Sequence, residues 1–213
     1  MTGNRCKPVR VVILMKRALD VLVSVFVIVF VLSWLLPILA VLIRRDSRGP
    51  AFFLQKRVGR YGRLFTCLKL RTMYMNEEAD EAPATEDDGR ITRTGSWLRR
   101  SHLDELPQFI NVLLGSMSIV GPRPYMPADC QRYDQIVCDT EWRLQVKPGI
   151  TGMAQLEGLH GVCCDREIVI KRFDCDKWYV DNADLSLDLR IFAGTLFNVI
   201  PRRIATMRIG PSE

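Results

Sequence analysis

Residues 21–43 read VLVSVFVIVFVLSWLLPILAVLI, without a single charged side chain. The run exceeds the ~18 apolar residues that mark a transmembrane candidate. It also outlasts the ~7–15-residue apolar stretch of a signal peptide, and no clear small-residue cleavage site follows it. Arg5, Lys7, Arg10, Lys16 and Arg17 precede it; Arg44, Arg45, Arg48, Lys56, Arg57, Arg60 and Arg63 follow. Short basic flanks stay on the cytoplasmic side. A single span would strand one of these flanks, whereas a re-entrant hairpin keeps both inside. Pro37 offers the bend, because its missing N–H and its ring disturb the backbone around the Ser33 carbonyl. The Ser33 hydroxyl is placed to re-satisfy that backbone. Between residues 21 and 33 a helix rises about 20 Å, against a hydrocarbon core about 30 Å thick. Penetration to part depth and return is therefore expected; a proline-kinked single span is the competing reading.

Outward from this segment the chain changes character. Asp46-Ser47-Arg48-Gly49-Pro50 is a turn-rich break, which divides the 213 residues into a basic N-terminus with membrane helix (1–45) and one further domain (46–213). With 48% hydrophobic and 25% charged residues overall, a sizeable core is expected and wholesale disorder is not. The net charge of +6 suits a polyanionic partner: nucleic acid, an anionic membrane or phosphorylated substrates. Seven cysteines without a CxxC pair suggest neither a zinc site nor a disulfide framework. They read as free thiols in a reducing cytosol. With only His102 and His160, a His-rich metal site is excluded.

Within the second part, residues 51–55 and 64–70 read as short strands, joined by the basic turn Arg57-Val58-Gly59-Arg60-Tyr61-Gly62-Arg63. Residues 75–89 are acidic and read as a solvated surface loop. Asp104 is suited to cap a helix that carries Pro107 in its first turn and stops at Gly115. Val120-Gly121-Pro122-Arg123-Pro124 is stiffened by two prolines, so Arg123 is held on a rigid backbone. Lys147-Pro148-Gly149-Ile150-Thr151-Gly152 is a second rigid turn. Residues 166–179 and 187–200 read as helices; the last is apolar enough to lie on a membrane surface, ending at Pro201-Arg202-Arg203. The expected class is mixed α/β, helix-rich, with surface amphipathic helices.

Several ordered motifs resemble one family. They are Asp46-Ser47-Arg48-Gly49-Pro50, Lys69-Leu70-Arg71-Thr72-Met73, Leu98-Arg99-Arg100, Leu103-Asp104-Glu105-Leu106-Pro107-Gln108, Met117-Ser118-Ile119-Val120-Gly121-Pro122-Arg123-Pro124 and Lys147-Pro148-Gly149-Ile150-Thr151-Gly152. Together, between Lys16 and about residue 200, they resemble the bacterial sugar transferases, the monotopic polyprenyl-phosphate phosphoglycosyl transferases. The few residues before Lys16 lead to the expectation of the short form of that family. Three features depart from its pattern. Ser33 and Pro37 are four residues apart rather than adjacent, Met153 replaces a tryptophan, and Glu157-Gly158-Leu159-His160-Gly161 replaces an Asn-Gly-Arg-Asn stretch.

The resemblance implies a re-entrant helix in the bacterial inner membrane and a small catalytic domain on its cytoplasmic face. It implies transfer of a sugar 1-phosphate from a nucleoside-diphosphate sugar, a UDP-sugar by expectation, to undecaprenyl phosphate. Asp104 is the expected nucleophile and a ligand of the magnesium ion (Mg2+) that the family uses. Glu105 is expected to assist acceptor attack, as a base or through the metal. Arg99 and Arg123 are the expected phosphate clamps, since guanidinium forks match phosphate oxygens. Lys69 and Arg71 face phosphate, or else serve the strand they lie on. His102 and His160 are weaker candidates for a base and a donor contact. A homodimer is left open. Two other classes compete: a membrane-tethered nucleic-acid-binding module, for which no helix-turn-helix or interleaved aromatic signal is found, and a noncatalytic scaffold. No nucleic acid is expected as partner.

Overall fold

A computed structural model describes residues 9–75, 88–159 and 165–197. His160, Pro201-Arg202-Arg203 and most of the acidic stretch lie outside these. The chain is helical from α1 (Val9–Val27) through a π-helical turn (Ile28–Leu32) into α2 (Ser33–Asp46). The part from Ile13 to Asp46 is long and apolar enough to cross a membrane. In the π-turn the Ser33 N–H reaches back five residues to the Ile28 carbonyl. The Ser33 hydroxyl donates to Val29 O (2.6 Å) and the Trp34 indole to Phe30 O (2.8 Å). Side-chain donors thus serve carbonyls of the widened turn, which is what an apolar environment demands. The serine acts on Val29, one turn before the site expected from Pro37.

A stripe on this helix faces the rest of the molecule: Asp20, Ser24, Leu32, Leu39 and Ile43 are buried, while Leu22, Phe26, Phe30, Trp34 and Ile38 are exposed. The helix is bonded to the folded domain at both ends. Near its start, Lys16 Nζ donates to Val120 O (3.0 Å), Tyr179 Oη (3.1 Å) and Asp188 Oδ2 (2.5 Å). Arg17 donates to the carbonyls of Val112 (2.6 Å) and Leu113 (2.9 Å). Asp20 accepts from Ser118 Oγ (2.9 Å) and the Ile119 N–H (3.0 Å). At the other end, Leu39 and Ile43 pack with Ala51, Leu70 and Leu98, and Asp46 accepts from the Thr94 N–H at 2.7 Å.

Strands β1 (Phe52–Val58) and β2 (Leu64–Leu70) form an antiparallel hairpin, in which Gln55 opposes Cys67 and Phe53 opposes Lys69. Side chains alternate between faces of a strand. Gln55, Arg57, Cys67 and Lys69 therefore share the inward face, while Phe52, Leu54 and Leu64 on the other face are exposed. Arg57 belongs to the strand and not to the turn. Helix α3 (Arg93–Arg100) follows, then a 3-10 turn (Leu103–Glu105) and α4 (Gln108–Leu114), which ends at Gly115 with φ 90°. Asp104 does not cap α4, because Pro107 holds that position and Asp104 lies in the preceding 3-10 turn. Strands β3 (Ser118–Val120) and β4 (Gly149–Thr151) pair in parallel, so the ends of the two stiff loops are joined. Gly149 lies so close to the Gly121 backbone that a Cβ there has no room. Helices α5 (Pro127–Asp134), α6 (Met153–Leu156), α7 (Arg166–Asn182) and α8 (Leu185–Phe197) complete the domain. The architecture is mixed α/β and helix-rich. Its main core gathers Leu32, Val112, Met117, Val120, Tyr179 and Ile191.

Candidate active site

Asp104 and Glu105 occupy the 3-10 turn after α3, behind His102, whose backbone is left-handed at φ 55°. Glu105 is clamped. Its Oε1 accepts from Lys69 Nζ (2.7 Å) and from Arg123 Nη2 (2.8 Å), and its Oε2 faces Arg123 Nη1 at 3.4 Å. Lys69 arrives from β2 on the inward face. Arg123 arrives from the loop after β3, where the Pro122 carbonyl accepts from the Gly149 N–H at 2.9 Å. Burial alone would raise the Glu105 pKa, but Arg123 and then Lys69 overcome it and hold the carboxyl well below its usual range. The Glu105 carboxylate in turn raises Arg123 against the opposing effect of burial.

Asp104 is treated differently by its surroundings. It is 9% exposed, yet among the described residues its carboxylate accepts no hydrogen bond and forms no ion pair. Its pKa is raised, first by burial and then by the neighbouring Glu105, with Lys69, Arg99 and Arg123 opposing. Two adjacent carboxylates thus divide: one is fixed by cations that favour its ionised form, the other is unengaged among the described residues and more basic. Arg99, one turn past Gly95 on α3, donates from Nε to Thr72 Oγ1 at 2.9 Å, and it is among the charges that bear on Asp104.

Of three further arginines, only Arg71 was a candidate from sequence. Arg71 is turned away from the cluster and donates to Arg48 O (2.5 Å) and Ser47 O (2.8 Å); it ties down the turn after α2 and serves structure. Arg143 lies between the rings of Tyr125 (4.3 Å) and Phe173 (4.6 Å). It donates to Arg123 O (3.0 Å) and Asp176 Oδ2 (2.9 Å), bracing the backbone of the clamp. Arg57 borders a small cleft together with Lys69, Glu105, Gln108 and Arg123. No motif singled out Arg143, and Gln108 ended a quoted motif without a role assigned to it; the parity of β1 could have placed Arg57 on the same face as Lys69.

A free carboxylate beside an ionised one, in a mainly cationic recess, suits nucleophilic attack on a phosphate ester. The sequence pattern described as bacterial sugar transferase matches residues 11–202. The chain belongs to this family. A Klebsiella pneumoniae sugar transferase named UDP-glucose:undecaprenyl-phosphate glucose-1-phosphate transferase is 39% identical over 183 residues, 85% of this chain and 39% of its own length. A Caulobacter vibrioides protein of the same name is 41% identical over 184 residues, covering 86% of this chain and 68% of that one. The exopolysaccharide production protein PSS of Rhizobium leguminosarum is 37% identical over 195 residues, 89% of this chain and 97% of its own. This chain therefore spans well under half the length of the Klebsiella relative and nearly all of the Rhizobium one.

The donor set of this sugar transferase can be weighed for a cation. Among the described residues no three His, Cys, Asp or Glu side chains converge as a metal cage. Magnesium usually takes one or two protein carboxylates, keeps waters and shares substrate phosphates. Asp104 has lone pairs to spare for that purpose, whereas Glu105 is engaged by Lys69 and Arg123.

Proposed function

We propose that the protein transfers a sugar 1-phosphate from a nucleoside-diphosphate sugar, a UDP-sugar first among them, to undecaprenyl phosphate. The observation that carries the reading is the buried Asp104, without a hydrogen-bond or ion-pair partner among the described residues, beside a Glu105 clamped by Lys69 and Arg123. Asp104 attacks the sugar-bearing phosphorus, the phosphoanhydride bond breaks, and the nucleoside monophosphate leaves with the bonding electrons. An oxygen of the lipid phosphate then attacks the aspartyl phosphosugar. The acyl–phosphate bond breaks, the carboxylate is restored, and a lipid diphosphate sugar is formed. Covalent catalysis of this kind divides one hard displacement into two easier ones. Arg99, Arg123 and Lys69 offset the phosphate charge during both steps. Glu105, held ionised by Arg123 and Lys69, in turn orients both cations. Magnesium bound at Asp104 would supply charge neutralisation and orientation of the diphosphate.

The bonding of both helix ends to one domain supports a re-entrant membrane segment. If residues 21–43 crossed the bilayer, Lys16 and Asp46 would lie on opposite sides, and one domain could not bond to both. The paired basic flanks favour the cytoplasmic face of the bacterial inner membrane for that domain.

The test incubates the protein in bilayers with undecaprenyl phosphate and a panel of UDP-sugars. We expect UMP release and a lipid diphosphate sugar with at least one donor, and loss of both in excess chelator. No turnover with any donor would reject the activity, and undiminished turnover in chelator would reject the metal.

A further inference from the structure

The proposed chemistry gives a role to Asp104, Arg99, Lys69 and Arg123, but not to Arg57 or Gln108, which border the cleft with Lys69, Glu105 and Arg123; Arg99 stands outside it. Gln108 is 97% enclosed, at 3% exposure, yet its side-chain amide forms no hydrogen bond among the described residues. Unlike the Nε of Arg57, the amide is not fully shut off from solvent, and its remaining exposure adjoins the cleft. Its donors are therefore available to a ligand in the cleft. Arg57 donates to Pro124 O at 3.1 Å and to Gln55 Oε1, which fixes its guanidinium at the wall, while its buried Nε has no partner among the described residues. Three cations against one carboxylate leave the cleft with an excess of two positive charges. A phosphate monoester near neutral pH carries about −1.5 to −2. Cys67 borders the cleft too, but burial raises its thiol pKa and keeps it neutral, so the chemistry offered is anion binding.

We propose that the cleft walled by Arg57, Gln108, Lys69 and Arg123 is a second phosphate subsite, which holds a phosphate monoester beside the phosphoryl group carried by Asp104. This rests on the reading above. The reaction involves two such monoesters, the departing nucleoside monophosphate and the arriving lipid phosphate, and both must sit near the transferred phosphorus.

The experiment uses the full chain in nanodiscs, with Arg57→Gln and Gln108→Met beside the unaltered protein. It measures the inhibition constant of UMP and the KM for a polyprenyl phosphate, with a thermal melt for each variant. At least one constant is expected to rise about tenfold or more in both variants, the size of losing one hydrogen bond to a charged group. A rise for UMP identifies the departing monoester as occupant, and a rise in lipid KM identifies the arriving one. If both constants stay within about twofold in folded variants, the subsite is rejected. Should Arg57→Gln fail to fold because Pro124 and Gln55 lose their donor, Gln108→Met decides alone. Turnover by the unaltered protein keeps the two failures apart: its absence rejects the proposed activity, whereas unchanged constants with turnover intact reject only the subsite.

Discussion

At the scale of single residues the site is a contrast between Asp104 and Glu105. Burial first, and Glu105 next, disfavour the ionised form of Asp104 in the folded chain. Above the unfolded value of 3.8 its charge therefore costs stability. Asp104→Asn is expected to abolish transfer and covalent sugar-phosphate labelling, and to melt no lower than the unaltered protein at pH 7. Substantial retained turnover would remove Asp104 as nucleophile. Glu105 has the opposite sign, since its pKa is depressed on folding. Its contribution is complete above the unfolded value of 4.5 and is lost as pH falls toward the folded value. Melting temperature should consequently decline more steeply below pH 4.5 in the unaltered protein than in Glu105→Gln. At neutral pH that variant should lose about 3–5 kcal/mol, because Lys69 and Arg123 are left without their counter-charge. Equal pH slopes for the two proteins would contradict the clamp.

At the scale of elements, the site depends on how closely α3 approaches the chain after β2. A Cβ at Gly95 would overlap the backbone of Thr72, whose carbonyl carbon would be 2.5 Å away. Thr72 also accepts from Arg99 on the next turn of α3. Gly95→Ala should push α3 outward and displace Arg99, lowering kcat about 10²–10³-fold, the scale of losing one preorganised charge-stabilising donor. Activity within about threefold of the unaltered protein would show that α3 tolerates the shift. The β1–β2 hairpin was legible from its alternation and turn, but not in full length. Placing Arg57 in the turn hid its alignment with Lys69. The parallel pairing of β3 with β4 was not legible either, since each strand has only three residues and the two are brought together from distant parts of the chain.

At the scale of the whole molecule the decisive feature is that the apolar helix begins and ends on one domain. Lys16, Arg17 and Asp20 bond to β3, α4, α7 and α8, while Asp46 bonds to the start of α3. Membrane-impermeant thiol reagents applied from outside the cell should therefore leave Cys6 unlabelled. Reagents applied to inverted vesicles should reach the domain and Cys6 alike. Labelling of Cys6 from the periplasm would overturn the proposed re-entrant segment in favour of a span.

The sequence by itself determined the long apolar helix, the helix-rich mixed class and the position of the acidic pair, because these are written in contiguous runs and ordered motifs. It could not decide which cations reach the pair. Lys69 and Arg71 are two residues apart and would share a face if β2 continued, but the strand ends at Leu70. One side chain enters the site and the other turns back to Ser47 and Arg48. Nor could sequence assign opposite pKa shifts to two adjacent carboxylates. Desolvation and pairing depend on what the folded chain brings within a few ångströms of each oxygen, and that is a property of the tertiary structure alone.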